Sequence, residues 1–474
     1  MIAKELRALA PVWAAAAAAM LAPVLVRELR PLNVPVYFLG SLVLGAMSIG
    51  HEYSHRTLGL MLTQPVSRAR LLLTKLAVLA VLLIGLLLLS FVALSAGRGE
   101  AMFGDAIRWL PALAGLFITP YLTLATRSPM AGVVFTLAIA GVLMIVGEWL
   151  GVAKYGGYSA DVERFRVLFL SRMLVVLSVA GAVMTWWTFS RLEVLDGRGT
   201  EIDFGRVAAT GTASRGVTRR SPIRLLIEKE LRLQQLAFVV AAIYVMVYLA
   251  AISRARGMFS HDDAGFMLSI LYALVLAVLI GSVASAEERH LRVLDAQLLV
   301  PMSASRQWLI KVAIVLGLTF VLTVALPAGL AVLFPPERIL WARTLASLAA
   351  AGPVLAVMSV AVVSLYVSTL CSSALWALLL SVPSAFGVAV FVLELGEIVQ
   401  RYFLDHGVRP DRSVVQVSAG IVAIAVIALV LRFASVNHRY LDRSHWRTAA
   451  HAGIAAAAIA AGATLVVVAG MTAG

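Results

Sequence analysis

Residues 52–75 read EYSHRTLGLMLTQPVSRARLLLTK, and residues 288–311 read ERHLRVLDAQLLVPMSASRQWLIK. The two segments lie 236 positions apart and align without a gap. Nine of the 24 positions are identical: Glu52/Glu288, Arg56/Arg292, Leu58/Leu294, Leu62/Leu298, Pro65/Pro301, Ser67/Ser303, Arg70/Arg306, Leu73/Leu309 and Lys75/Lys311. At average composition roughly one or two matches would arise by chance. A repeat at this distance divides the chain into two related halves.

Composition places both halves in a bilayer. Hydrophobic residues make up 61% of the 474 and charged residues 14%, against about 25% charge in a soluble domain. The apolar runs are continuous, as in spanning helices of about 20 residues, and do not alternate as barrel strands do. The expected fold is an all-α polytopic helical membrane protein. Helices are expected near 10–27, 36–51, 71–96, 108–126, 130–150 and 167–190, then near 235–253, 265–286, 309–334, 346–369, 373–395 and 414–432. These form two six-helix repeats, 12 spans in all, and the Ala-rich stretch 450–471 offers a thirteenth. The expected divisions are 1–190, first repeat; 191–221, a Gly-, Ser-, Thr- and Arg-rich cytoplasmic linker; 222–433, second repeat; and 434–474, a C-terminal segment.

The net charge of +14 reads as orientation and attraction to anionic lipid, not nucleic-acid binding. With the N-terminus cytoplasmic, inside segments hold about 24 of the Lys and Arg and outside segments about 15. This gives a multi-pass protein of the cell inner membrane. Lys4-Glu5-Leu6-Arg7 recurs as Lys229-Glu230-Leu231-Arg232, just before the first span of each half. Mixed charge with interleaved Leu and Ile suits a short helix in the interface plane. The single cysteine, Cys371, reads as a small apolar helix residue.

Within the repeated segment, Glu52 and Arg56 stand at i,i+4 in the favourable order, and Leu58 and Leu62 form a second i,i+4 pair on another face. That describes a short amphipathic helix ended by Pro65 or Pro301, with Arg68, Arg70 and Lys75 anchoring the next span at the headgroups. Its presence at the same place in both halves favours docking to a partner protein.

The pattern E-x-x-x-R-T-L-x-x-x-L-x-x-P-V-S-R between a second and a third span resembles the type-2 permease family of ABC exporters. In that family the short helix is a coupling helix, seated in a groove of a separate ATP-binding subunit. Glu52, Arg56, Thr57, Leu58, Pro65, Ser67, Arg68 and Lys75 match the pattern, and the second copy keeps Glu288, Arg292, Leu294, Pro301, Ser303 and Lys311 but departs at Val293, Asp295 and Ala304. The resemblance implies coupling through Glu52, Arg56, Leu58, Leu62 and Pro65 and through Glu288, Arg292, Leu294, Leu298 and Pro301. It implies a permease subunit driven by a partner ABC ATPase, two copies expected, with ATP and Mg held by the partner and no cofactor or metal on this chain. The expected cargo is amphipathic or hydrophobic. In keeping with a separate ATPase, the nearest approach to a phosphate-binding loop, Gly211 to Thr218, lacks the lysine that reaches the phosphates.

Two other classes compete. His51, Glu52 and His55 stand at H-E-x-x-H spacing, the pattern of a zinc protease. The aligned second copy, however, keeps only the Glu, with Glu287 and Leu291 in place of the two histidines. A secondary transporter would carry midplane acids or broken helices, for which Pro353 and Pro383 are the best candidates. Glu148, Glu394 and Glu397, near the ends of the fifth and eleventh spans, are candidate linings of an external exit, beside a Tyr155–Tyr158 segment that could bend back into the membrane. His261-Asp262-Asp263 reads as a solvated turn.

Overall fold

The computed structural model describes residues 2–25, 33–54, 66–95, 108–155, 159–191, 222–253, 262–290, 302–333, 351–406, 412–439 and 445–473. Among them every regular element is a helix. The chain divides into two compact units, 1–225 and 226–474. Unit 1 holds α1 (Ile2–Leu25), α2 (Asn33–Ser54), α3 (Arg68–Ser95), α4 (Leu110–Thr126), α5 (Pro129–Tyr155) and α6 (Ala160–Ser190). The boundary falls within α7 (Pro222–Leu233), and unit 2 continues with α8 (Gln235–Ser253), α9 (Asp262–His290), α10 (Ala304–Leu333), α11 (Ala351–Leu370), α12 (Ala374–Asp405), α13 (Arg412–Arg439) and α14 (His445–Ala473).

A helix covers the described part of each of the thirteen stretches expected from the sequence. In hydrocarbon a spanning segment must satisfy its own backbone, and a helix does so within one run of chain. Ten of the described helices are long and apolar enough to cross a membrane, or eleven if α7 and α8 form one bent span. The count includes α14 but omits the shorter α4 and also α1, whose first turns carry Lys4, Glu5 and Arg7.

The expected interfacial helix before each first span takes two forms. In unit 2 it is a separate helix, α7, bent by 55° from α8. In unit 1 it is no separate element: Lys4 to Arg7 are the opening turns of α1, which runs on unbroken to Leu25. One residue at the bend differs in character between the two units. When the two KELR segments are superposed in sequence, Gln234 aligns with Leu9. Leu9 is buried apolar packing in α1, whereas the Gln234 amide donates to the Ile280 carbonyl of α9 at 3.1 Å, hooking the chain sideways at the bend.

The helix before each repeated segment is the most enclosed of its unit. Of the apolar windows of α2 and α9, 72% and 78% are buried, against 39% and 33% for α3 and α10. Small residues let neighbours approach these helices closely. A Cβ on Gly45 of α2 would lie 2.0 Å from the Gly115 carbonyl oxygen of α4. Gly281, which is 236 positions further on, plays the same part in α9: its Cβ would lie 2.5 Å from the Ala361 carbonyl oxygen of α11. Both crossings therefore need glycine. Two helices contain a widened turn with i→i+5 bonding, Ala114–Ile118 in α4 and Val321–Ala325 in α10. The Thr119 hydroxyl donates to the Ala114 carbonyl at 3.1 Å in the first, and the Tyr272 hydroxyl to the Leu322 carbonyl at 2.9 Å in the second.

Candidate functional site

Glu52 lies in the last turn of α2, and Lys75 in the second turn of α3. Together they bracket the repeated segment, whose central residues 55–65 lie outside the described chain. Both side chains are buried, 2% and 1% exposed, and Lys75 Nζ sits 3.2 Å from Glu52 Oε1. A third charged group completes the contact. Glu5, in the first turns of α1, accepts from the same ammonium through both carboxylate oxygens at 2.8 and 2.9 Å. The Ser48 carbonyl, one turn before Glu52, accepts at 3.3 Å, and Lys4 reaches Glu52 from the exposed side at 3.3 Å.

Unit 2 repeats the arrangement group for group. Lys311 Nζ meets both oxygens of Glu230 at 3.0 Å, Glu288 Oε2 at 2.8 Å and the Ala284 carbonyl at 2.6 Å. Ala284 stands one turn before Glu288, as Ser48 stands one turn before Glu52. Lys229 pairs with Glu288 and lies 3.6 Å from Glu230 Oε1. Each unit thus has a quartet of two lysines and two glutamates, Lys4/Glu5/Glu52/Lys75 and Lys229/Glu230/Glu288/Lys311, with no net charge. Balance is what makes the burial tolerable: an unpaired ion would cost several kcal/mol, about as much as the pairing recovers.

These positions correct two expectations. Glu52 and Glu288 were expected on the exposed charged face of a short docking helix, paired with Arg56 and Arg292. They are instead buried in the closing turns of α2 and α9, with partners on α1 and α3 or on α7 and α10. Lys75 was expected at the headgroups, but it is 2% exposed. The reason is common to both: the decisive partners, Glu5 and Glu230, lie 47 and 58 positions before the glutamates they accompany, beyond any local periodicity. The signal was present in the pair of KELR segments, read above as interfacial helices, which mark Glu5 and Glu230 as plainly as the longer repeat marks Lys75 and Lys311.

The other expected coupling residues, Arg56, Leu58, Leu62 and Pro65 with Arg292, Leu294, Leu298 and Pro301, lie outside the described residues. So does His55 of the H-E-x-x-H motif, while His51 is half-buried in α2. Glu52 is committed to two ammonium groups, which leaves it poorly placed as a general base. Among the described residues, no group of three or more His, Cys, Asp or Glu side chains could hold a metal ion.

The three candidate exit acids are not equivalent. Glu148 of α5 is partly buried and pairs with Arg166 of α6 at 3.6 Å. Glu394 and Glu397 lie on an exposed face of α12, where Glu397 pairs with Arg401 one turn on at 3.1 Å. α5 ends at Tyr155 and α6 begins at Ala160, with Gly156, Gly157 and Tyr158 of the expected bent segment outside the described residues. Pro383 lies inside α12 and Pro353 in the first turn of α11. His261 is outside the described residues, and Asp262 and Asp263 open α9.

Two members of the first quartet, Glu52 and Lys75, fall where the chain resembles proteins already known. Residues 6–152 match the sequence model of a family described as ABC-2 family transporter protein. The match runs from the first turns of α1 into α5 and includes Glu52 and Lys75. No curated protein and no solved structure matches the chain.

Proposed function

We propose that this chain, whose residues 6–152 match the ABC-2 transporter family and whose described helices include ten long and apolar enough to cross a membrane, is the membrane subunit of an ATP-driven exporter that works with a partner ABC ATPase. Both repeated segments are docking sites for a separate ATPase, with one ATPase copy on 55–65 and another on 291–301. ATP and Mg are held by that partner. The N-terminus and both docking segments face the cytoplasm of a cell bounded by its inner membrane.

One observation carries this reading. Each docking segment is flanked in the chain by a matched pair of buried ions, Glu52 with Lys75 and Glu288 with Lys311. That the same base is built at both segments supports a shared role for the residues between its ions. The departures at Val293, Asp295 and Ala304 spare the second base, so the second copy retains its means of coupling. The cargo class follows from the helices themselves. They are rich in Ala, Val, Leu, Met and Phe, and an apolar path between them favours an amphipathic or hydrophobic molecule over a small ion.

The test is purification of the full chain with its associated proteins, followed by transport in sealed vesicles. A Walker-motif ATPase is expected to co-purify at two copies per chain and to drive ATP-dependent efflux of lipid-like dyes. Combining Arg56→Glu with Arg292→Glu, on the docking segments themselves, is expected to abolish ATPase retention without reducing membrane insertion. ATP hydrolysis by this chain alone, or full ATPase retention in the double variant, would overturn the reading.

A further inference from the structure

The two quartets contain the same groups but sit beside differently shaped chain. In unit 1, Lys75 is closest to Glu5, at 2.8 and 2.9 Å, with Glu52 at 3.2 Å. In unit 2, Lys311 meets the carboxylate of Glu288 at 2.8 Å and that of Glu230 at 3.0 Å. The outer lysine also differs. Lys4 is 57% exposed and contacts Glu52, whereas Lys229 is 28% exposed and contacts both Glu288 and Glu230. Alongside this, the segment carrying Glu5 runs straight into its span, while the segment carrying Glu230 meets its span at 55°. One set of four charges is thus compatible with two angles between the amphipathic segment and the helix that follows.

We propose that each quartet is a sliding joint. It keeps the amphipathic segment, Lys4–Arg7 or Lys229–Arg232, attached to the base of the docking segment while that segment changes its angle to the first span. The chemistry suits this role. An ammonium shared by two carboxylates, beside a carboxylate shared by two ammoniums, can shift its weight from one partner to the other without opening the cluster. At no stage does a buried charge lose all its partners, the costly event in a dry environment. An apolar plug of the same volume would hold one angle, because close-packed side chains interlock. The straight and bent segments of the two units are then the two settings of one device. Movement of an ATPase at 55–65 or 291–301 reaches the first span through it. This inference rests on the docking role proposed above, and it adds four positioning residues, Glu5, Lys75, Glu230 and Lys311, to the residues that carry coupling.

The deciding variants remove one ion pair from each quartet and leave the other intact: Glu5→Leu with Lys75→Met in unit 1, and Glu230→Leu with Lys311→Met in unit 2. Each keeps the quartet neutral. Replacing a buried pair by apolar groups of similar size is often neutral or stabilising, so a purely structural role predicts normal folding and normal transport. A sliding joint predicts normal folding and continued ATP hydrolysis, but about tenfold less transport per ATP consumed, within the range by which coupling elements act. Unchanged transport per ATP in the folded variants would overturn the proposal. If either double variant fails to accumulate, Glu5→Gln and Glu230→Gln, which keep shape and one acceptor, are expected to lower the same ratio, and an unchanged ratio there overturns the proposal equally.

A second measurement does not depend on the transport reading. With Cys371→Ser as background, spin labels at Arg224→Cys and Met246→Cys flank the bend between α7 and α8. The full chain is expected to show two label distances, and the Glu230→Leu, Lys311→Met variant one. A single distance in the unaltered quartet would sink the joint even if the chain proves to be an exporter. Absence of ATP-driven transport alongside two distances would sink the exporter and spare the joint.

Discussion

At the scale of single residues, Lys75 and Lys311 have the most to lose. Their side chains are 1% and 0% exposed, and each neutralises two carboxylates. Lys311→Met alone leaves Glu230 and Glu288 facing only Lys229, and it is expected to cost about 3–5 kcal/mol of stability. Adding Glu230→Leu should recover most of that loss, as read by the thermal unfolding of purified protein in detergent. Lys4 is a contrast: at 57% exposure its pair with Glu52 is expected to contribute under about 1 kcal/mol. His438 makes a different residue-scale prediction. It is fully buried at the end of α13 with its ring 5.1 Å from Trp308, and neither ring nitrogen has a hydrogen-bond partner among the described residues. At the end of α6, Phe189 packs in a buried cluster with Ile49, Leu71, Leu72 and Leu124, and Leu72 aligns with Trp308 in the repeat. His438→Phe removes two unsatisfied polar atoms, and it is expected to stabilise the protein by about 1 kcal/mol. A lower unfolding temperature would show that the imidazole has a partner. The sequence singled out Glu52 and Glu288 but gave no sign of their burial. A Glu four residues before an Arg reads the same in a solvated helix and in a buried cluster, and only a carboxylate from a distant segment decides between them.

At the scale of elements, helix existence was legible because continuous apolar runs leave no other solution in lipid. What joins the elements was less legible. KELR appears twice with one local pattern, yet it opens a straight α1 in one unit and a bent pair in the other. At the bend stands Gln234, a single polar side chain that finds the Ile280 carbonyl across a helix pair. Gln234→Leu is expected to shift the bent population toward a straight one, visible as a longer distance between labels at 224 and 246; no change would assign the bend to another cause. Glycine crossings were equally silent in the sequence, since 35 glycines are present and few mark a close approach. Gly45→Leu and Gly281→Leu each place a side chain where a backbone carbonyl stands, and both are expected to sharply reduce folded protein in the membrane. Gly317→Leu, where a Cβ would meet nothing within 4 Å, should accumulate normally. Equal yields from all three would refute the crossings.

At the scale of the whole molecule, 24 aligned positions carry the reading of a duplication, and each of the two units contains a buried quartet that those positions only half reveal. The second unit also carries α14, which packs against α13 and α12. Its His451 ring stacks on Phe433 at 4.2 Å, and Tyr402 reaches Met471 at 3.8 Å. If α1 to α6 and α8 to α14 all cross, the number of crossings is odd. A reporter fused after Gly474 is then expected on the opposite side of the membrane from one at the N-terminus. Ending the chain at 440 should bring the reporter back. Reporters on one side in both forms would place α14 along the surface.

The neutrality of the quartets also has an electrical side. Carrying one elementary charge across a membrane potential involves about 2.3 kcal/mol per 100 mV, which is how voltage-sensing helices draw work from the field. Two lysines and two glutamates moving together carry no net charge. The dipole changes as partners shift over tenths of an ångström, while the monopole stays at zero. Movement of such a cluster draws no work from the membrane potential, so the label distances across the bend between α7 and α8 are expected to be the same in polarised and depolarised vesicles.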